Sequence, residues 1–167
     1  HKVYNKLIDI CDSSTVFWEV GAGYGYFSLA LAETCKRTVG FEPLDERADL
    51  FSRSIFENNY TNVEVVPKAV ENLDNHLPNR DTPDVILVDV EGLEYEILPR
   101  SENLLKSQPT LIIEMHDDIG ELLVDEQNVD PNGLRELLNT HGYSIEEIFQ
   151  RGSSDEESFH SKHICAT

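Results

Sequence analysis

The sequence predicts a doubly wound α/β fold: a Rossmann-like, mostly parallel sheet of about seven strands with a C-terminal antiparallel hairpin. Three observations carry this expectation. Short apolar, β-branched runs alternate with segments of helical period, a glycine-rich turn follows the first run, and two strand-like runs close the chain with no helical pattern between them.

The first strand is Val16-Phe17-Trp18-Glu19-Val20. It runs into Gly21-Ala22-Gly23-Tyr24-Gly25 and then a helix marked by Phe27, Leu29, Ala30, Leu31 and Ala32. A second strand over residues 38–42 is stopped by Pro43, and residues 44–58 carry Leu50, Phe51, Ile55 and Phe56 at helical spacing. Residues 63–66 alternate as a third strand, and between them and Pro83 only a short helix near 71–77 is expected. Residues 84–90 have the unbroken apolar core of a strand covered on both faces. Residues 93–105 read as helix with a break near Pro99, residues 110–116 as the fifth strand, and residues 132–141 as a helix that Pro131 starts and Gly142 ends.

Residues 143–149 and 161–166 are again strand-like, joined by a linker over 150–157 without helical period. A parallel crossover needs about a dozen residues and usually a helix, so these two runs are expected to pair antiparallel.

With 167 residues the chain is expected to be a single domain over 1–167. His1 in place of Met, and a first strand only from Val16, suggest a longer parent chain that has lost an N-terminal segment. No run approaches the ~18 apolar residues of a membrane span, and no signal pattern opens the chain, so the expected location is cytoplasmic. Cys11, Cys35 and Cys165 lack metal or redox spacing and are expected to be reduced, buried thiols.

Acidic residues number 32 against 13 basic ones, a net charge of −19 spread along the chain. Such a surface repels nucleic acid and anionic membranes. Self-repulsion of this size destabilises a compact state in dilute buffer and is relieved by salt, which points to a high-salt cytoplasm. The acidic run Asp155-Glu156-Glu157 is expected to be a solvated loop.

In such a sheet ligands bind at the carboxyl ends of the strands. Those ends collect Glu19 to Gly25, Glu42, residues 67–69, residues 89–92 and residues 114–116. The alternate glycines let a bulky cofactor lie against the backbone. The dinucleotide fingerprint G-x-G-x-x-G is not met, because Tyr26 stands where its last glycine would be. Glu19, two residues before the turn, would repel a diphosphate but suits the amino and sulfonium groups of S-adenosylmethionine. Glu42, about twenty residues on, is placed to accept from both hydroxyls of an adenosine ribose.

Four segments together resemble the FkbM-type methyltransferases in order and spacing: residues 19–26, Phe41-Glu42-Pro43, Asp89-Val90-Glu91-Gly92-Leu93-Glu94 and Ile113-Glu114-Met115-His116. The resemblance spans about residues 15–142, although residues 67–83 are shorter than the insert common in that family. It implies a class I methyltransferase fold, S-adenosylmethionine as cofactor, and transfer to a hydroxyl, often of a sugar or glycan. It also implies cofactor contacts at Glu19, the glycine turn (Gly21, Ala22, Gly23, Tyr24), Glu42 and Pro43. Adenine would pack near Lys68, Ala69 and Val70.

Transfer from a sulfonium is an in-line displacement, and a hydroxyl must also lose its proton. His116 is the candidate base, with Glu114 on the same strand face. Asp89 and Glu91 end the central strand, where one would bind the methionine amino group and the other orient the substrate; the competing reading is that they cap the helix beginning near Leu93. Asp89, Glu91, Glu114 and His116 also make an oxygen-rich set with one imidazole, of a kind that suits magnesium or manganese; the leading expectation is a site without metal. His76, His141, His160 and His163 show no ligand spacing. The alternatives to a methyltransferase of small molecules or glycans are a non-catalytic binding domain on the same scaffold and an NAD(P)-dependent reductase. Oligomeric state is not legible.

Overall fold

The computed structural model describes residues 2–116, 130–150 and 161–167. Helix α1 (Lys2–Ile10) precedes strand β1 (Val16–Val20), followed by α2 (Tyr26–Ala30), β2 (Arg37–Phe41), α3 (Asp45–Glu57) and β3 (Val63–Val66). A 3-10 helix (Leu73–Asn79) leads to β4 (Val85–Val88), α4 (Glu94–Arg100), α5 (Glu102–Lys106) and β5 (Thr110–His116). Helix α6 (Pro131–Thr140) and strands β6 (Ile145–Gln150) and β7 (Ser161–Ala166) complete the described elements.

The seven strands form one sheet in the order β3-β2-β1-β4-β5-β7-β6. The first five run parallel, while β7 pairs antiparallel with both β5 and β6, so the expected hairpin is present. The chain reverses its strand order after β3 and returns to build β4 beside β1, and this switch opens a crevice at the strand ends.

Every residue of β1 and β4 is buried, which explains why their sequences do not alternate. Val16, Trp18 and Val20 face one layer, with Leu98 and Leu105 of α4 and α5 and Leu134 and Leu138 of α6. Phe17 faces the other, with Val3 and Leu7 of α1 and Leu31 after α2. Burying a leucine of this kind stabilises the fold by about 2 kcal/mol.

Three local features differ from expectation. Helix α1 was not anticipated; its Val3 and Leu7 lie one turn apart on the buried face, and Lys6 reaches Glu146 at 3.2 Å. The helix expected over 93–105 divides at Ser101 instead of Pro99, because the Ser101 hydroxyl donates to the Ile97 carbonyl and accepts the Leu73 N–H. Strand β2 ends at Phe41, so Glu42 stands just beyond it at the mouth of the crevice. Asp155-Glu156-Glu157 and His160 lie outside the described residues.

Candidate active site

A cavity of about 330 Å³ opens at the carboxyl ends of β1, β2 and β4. Of the residues singled out from sequence, Gly21, Glu42, Pro43, Lys68, Ala69, Val70, Asp89 and Glu91 line it. Leu44, Val70, Leu93 and Ile97 supply apolar walls.

The glycine turn is held from β2: the N–H groups of Gly21 and Ala22 both donate to the Phe41 carbonyl, at 3.0 and 2.9 Å. Gly21 has φ +86°, and a side chain there would collide with the Asp89 carbonyl. Only glycine lets β1 turn this close to the end of β4. Glu42 is buried and fixed, since its two carboxylate oxygens accept the Gly23 N–H and the Leu44 N–H, each at 2.8 Å. Each oxygen keeps a further lone pair for a ligand hydroxyl. Tyr24 is exposed, with the Arg47 guanidinium 5.9 Å from its ring centre.

Glu19 is buried beneath the turn and is not on the cavity wall. Its carboxylate accepts the backbone N–H groups of Phe27 and Ser28 and the Ser28 hydroxyl, at 3.2, 2.7 and 2.6 Å. These are the donors that the start of a helix leaves without intrahelical partners, so Glu19 anchors α2 to β1. Burial outweighs these bonds and pushes Glu19 up to about 7.

Past Asp89 the backbone turns sharply: Glu91 and Gly92 both have positive φ, +53° and +100°. A glutamate in that region is strained by about 1 kcal/mol or more and needs surrounding support. Glu94 supplies it. Its fully buried carboxylate accepts the Gly92 N–H at 2.9 Å on one oxygen, and the other oxygen lies 3.0 Å from both the backbone nitrogen and Nδ1 of His116. Glu94 thereby ties the end of β5 to the loop after β4.

Asp89, Glu114 and His116 converge there, each offering one ligand atom within 4.8 Å of the others. The Glu91 carboxylate lies 3.4 Å from His116 Nε2, and His163, opposite Glu114 on β7, places Nε2 3.1 Å from a Glu114 oxygen. Burial, then the neighbouring Glu114 carboxylate, push Asp89 up to about 7. Burial disfavours the charged His116 ring, but the bond to Glu94 and the charges of Glu94, Glu114 and Glu91 prevail and raise it to about 9. The ring therefore holds both protons at neutral pH, unlike the freely titrating imidazole that a general base requires.

Glu94 and His163 are the members of this cluster without a role in the sequence expectations. Glu94 did carry a signal, as an acid two residues after a turn glycine at the start of a helix. His163 carried none, because only the register of β7 on β5 brings it to Glu114.

The methyltransferase FkbM domain family matches residues 11–145. No curated protein matches the chain in sequence. Among solved structures, an rRNA methylase from Streptococcus thermophilus matches with TM-score 0.67 and 15% identity, over 99% of this chain and 93% of that one. A precorrin-6y C5,15-methyltransferase from Geobacter metallireducens GS-15 matches with TM-score 0.68 and 18% identity, over 99% and 87%. SMU.1697c from Streptococcus mutans, solved in complex with SAH, matches with TM-score 0.71 and 10% identity, over 98% and 94%. At these identities the likeness speaks for the fold alone.

Proposed function

We propose, from the premise that this chain belongs to the FkbM methyltransferase family and uses S-adenosylmethionine, that it methylates a hydroxyl oxygen of a small molecule, sugar or glycan. The observation that carries the reading is the double position of Asp89. Its residue lines the cofactor cavity and also belongs to the carboxylate–imidazole cluster with Glu114 and His116. That double position supports Asp89 as the proton acceptor for a hydroxyl brought up to the cofactor's methyl group.

The cavity suits the cofactor on three counts. Gly21 leaves the backbone open for close approach, the anchored Glu42 carboxylate is ready for ribose hydroxyls, and Lys68, Ala69 and Val70 make a surface for adenine. When bound, S-adenosylmethionine supplies a methyl carbon made electrophilic by its sulfonium. The work of the chain is then positioning and proton removal. Asp89 takes the hydroxyl proton, a role that moves from His116 because the imidazole is bound to Glu94 and does not line the cavity. Glu114 and His116 hold Asp89 in its electrostatic setting, and Glu91, largely exposed beside His116, would orient the incoming acceptor. Glu19 supports the pocket from beneath through α2.

Among the described residues no helix is long and apolar enough to cross a membrane. The three cysteines are free and buried, which accords with a reducing compartment, and we assign the protein to the cytoplasm. The net charge of −19 argues against a nucleic acid acceptor. Turnover assays on hydroxylated metabolites, glycans and RNA, read as the mass gain of one methyl group, test the proposal. Transfer to hydroxyl compounds but not RNA is expected; transfer to RNA alone would overturn it.

A further inference from the structure

We infer that Asp89, Glu114 and His116 form a binding site for a divalent cation, manganese or magnesium, at the rim of the cofactor cavity. From sequence the leading expectation is a site without metal, although Asp89, Glu91, Glu114 and His116 make an oxygen-rich set with one imidazole. The fold brings them together: β4 lies beside β5, and Glu114 and His116 project from the same face of β5.

The ligand atoms lie within 4.8 Å of one another. A six-coordinate cation with bonds near 2.1 Å holds its ligand atoms about 3 to 4 Å apart, so small side-chain movements close the site. Two carboxylates this near repel each other, and a cation between them removes that cost.

The surroundings are those of a ligand set, not of an acidic patch alone. Both Glu94 oxygens accept backbone N–H groups, from Gly92 and His116, so the carboxylate is an acceptor here and the proton in its contact with His116 sits on Nδ1. With Nδ1–H held by Glu94, a cation binds at Nε2 by displacing the second ring proton, which otherwise faces the Glu91 carboxylate at 3.4 Å. Fixing a histidine through its other nitrogen by a buried carboxylate is how outer partners orient metal ligands. Glu114 has such a partner too, in His163 at 3.1 Å. Three side-chain ligands, with Asp89 bound through one oxygen and its other oxygen left to take the acceptor proton, leave positions for water or an acceptor oxygen. Two carboxylates with one imidazole and no thiolate favour manganese or magnesium over a closed zinc site.

The further role of holding the acceptor hydroxyl rests on the O-methylation reading; the cation site itself does not. The test therefore reads binding without an acceptor and without turnover. Manganese is titrated into the protein in about 1 M KCl, which screens diffuse attraction to the acidic surface, and free Mn²⁺ is followed by electron paramagnetic resonance. One site per chain is expected, with competition by Mg²⁺. Glu114→Gln and His116→Ala should weaken it more than about tenfold, and Glu94→Gln, a positioning change, by about 10- to 100-fold. Asp45→Asn with Glu46→Gln, on the exposed first turn of α3, should leave it unchanged.

A measurement needing no variant stands beside these: bound Mn²⁺ should broaden the ring resonances of His116 and His163 before those of His76 and His141. Absence of a Mn²⁺ site, affinity equal in all variants, or uniform broadening of the four histidines would each overturn the proposal.

Discussion

One oxygen of Glu94 sits 3.0 Å from both the backbone nitrogen and the Nδ1 of His116, although the two residues lie on different elements. This fully buried carboxylate is the keystone between the strained turn after β4 and the end of β5. Glu94→Ala should leave two backbone donors and one ring donor without their acceptor, at a cost of about 3 kcal/mol or more. Glu94→Gln, which keeps one acceptor oxygen, should lose less. Urea denaturation of both variants checks the order, and equal stability of Glu94→Ala and the parent would refute the role.

Gly21 and Gly23 of the turn should respond differently to alanine. Gly21→Ala meets the Asp89 carbonyl as well as an unfavourable φ, whereas Gly23 has φ +56° but open space where the methyl would go. Gly23→Ala should cost only backbone strain, about 1 kcal/mol, and keep S-adenosylhomocysteine binding. Gly21→Ala should lower that affinity more than about tenfold by shifting the turn into the cavity. Calorimetric titration of both variants makes the comparison.

Glu19 makes stability depend on pH in a defined direction. Its folded-state pKa lies near 7 against an ordinary value of 4.5, so the folded chain holds a proton that the unfolded chain releases. The stabilisation from that proton is complete below about pH 4.5 and is lost as pH rises through 7, with a slope of about 1.4 kcal/mol per pH unit between them. The nearby Asp89 charge acts in the same sense. Glu19→Gln should remove about 3 kcal/mol of this decline between pH 4.5 and 8, measured as the difference between parent and variant denaturation free energies. A difference independent of pH would contradict the burial argument.

What the sequence could and could not reveal follows from the range of each interaction. Strands β1, β4 and β5 announced themselves because burial on both faces demands continuous apolar runs. The hairpin followed from a linker lacking helical period. Gly21 and Glu42 were legible because a turn and a strand end are local events. Glu19 was legible as an acid at the turn, but its partners at Phe27 and Ser28 depend on how α2 docks. Helix α1 is not legible in the sequence because its few apolar positions gain meaning only against a sheet formed later in the chain. The pairing of Glu114 with His163 depends on strand register across nearly fifty residues, which no local spacing encodes.

The surface charge makes a prediction of its own. With a net charge of −19, self-repulsion is screened as salt rises, and the melting temperature should climb between about 0.1 M and 2 M KCl. The climb should persist in Glu19→Gln, whose side chain is buried away from the ions. A flat or falling melting temperature would remove the high-salt assignment.

The acceptor atom is read most directly with S-adenosylmethionine carrying a ¹³C-labelled methyl group. The carbon chemical shift of the product distinguishes methyl bound to oxygen from methyl bound to nitrogen, sulfur or carbon. The account predicts an O-methyl resonance that Asp89→Asn suppresses by about two orders of magnitude or more in rate. A methyl group on nitrogen, sulfur or carbon, or an O-methyl product formed at the parent rate by Asp89→Asn, would contradict it.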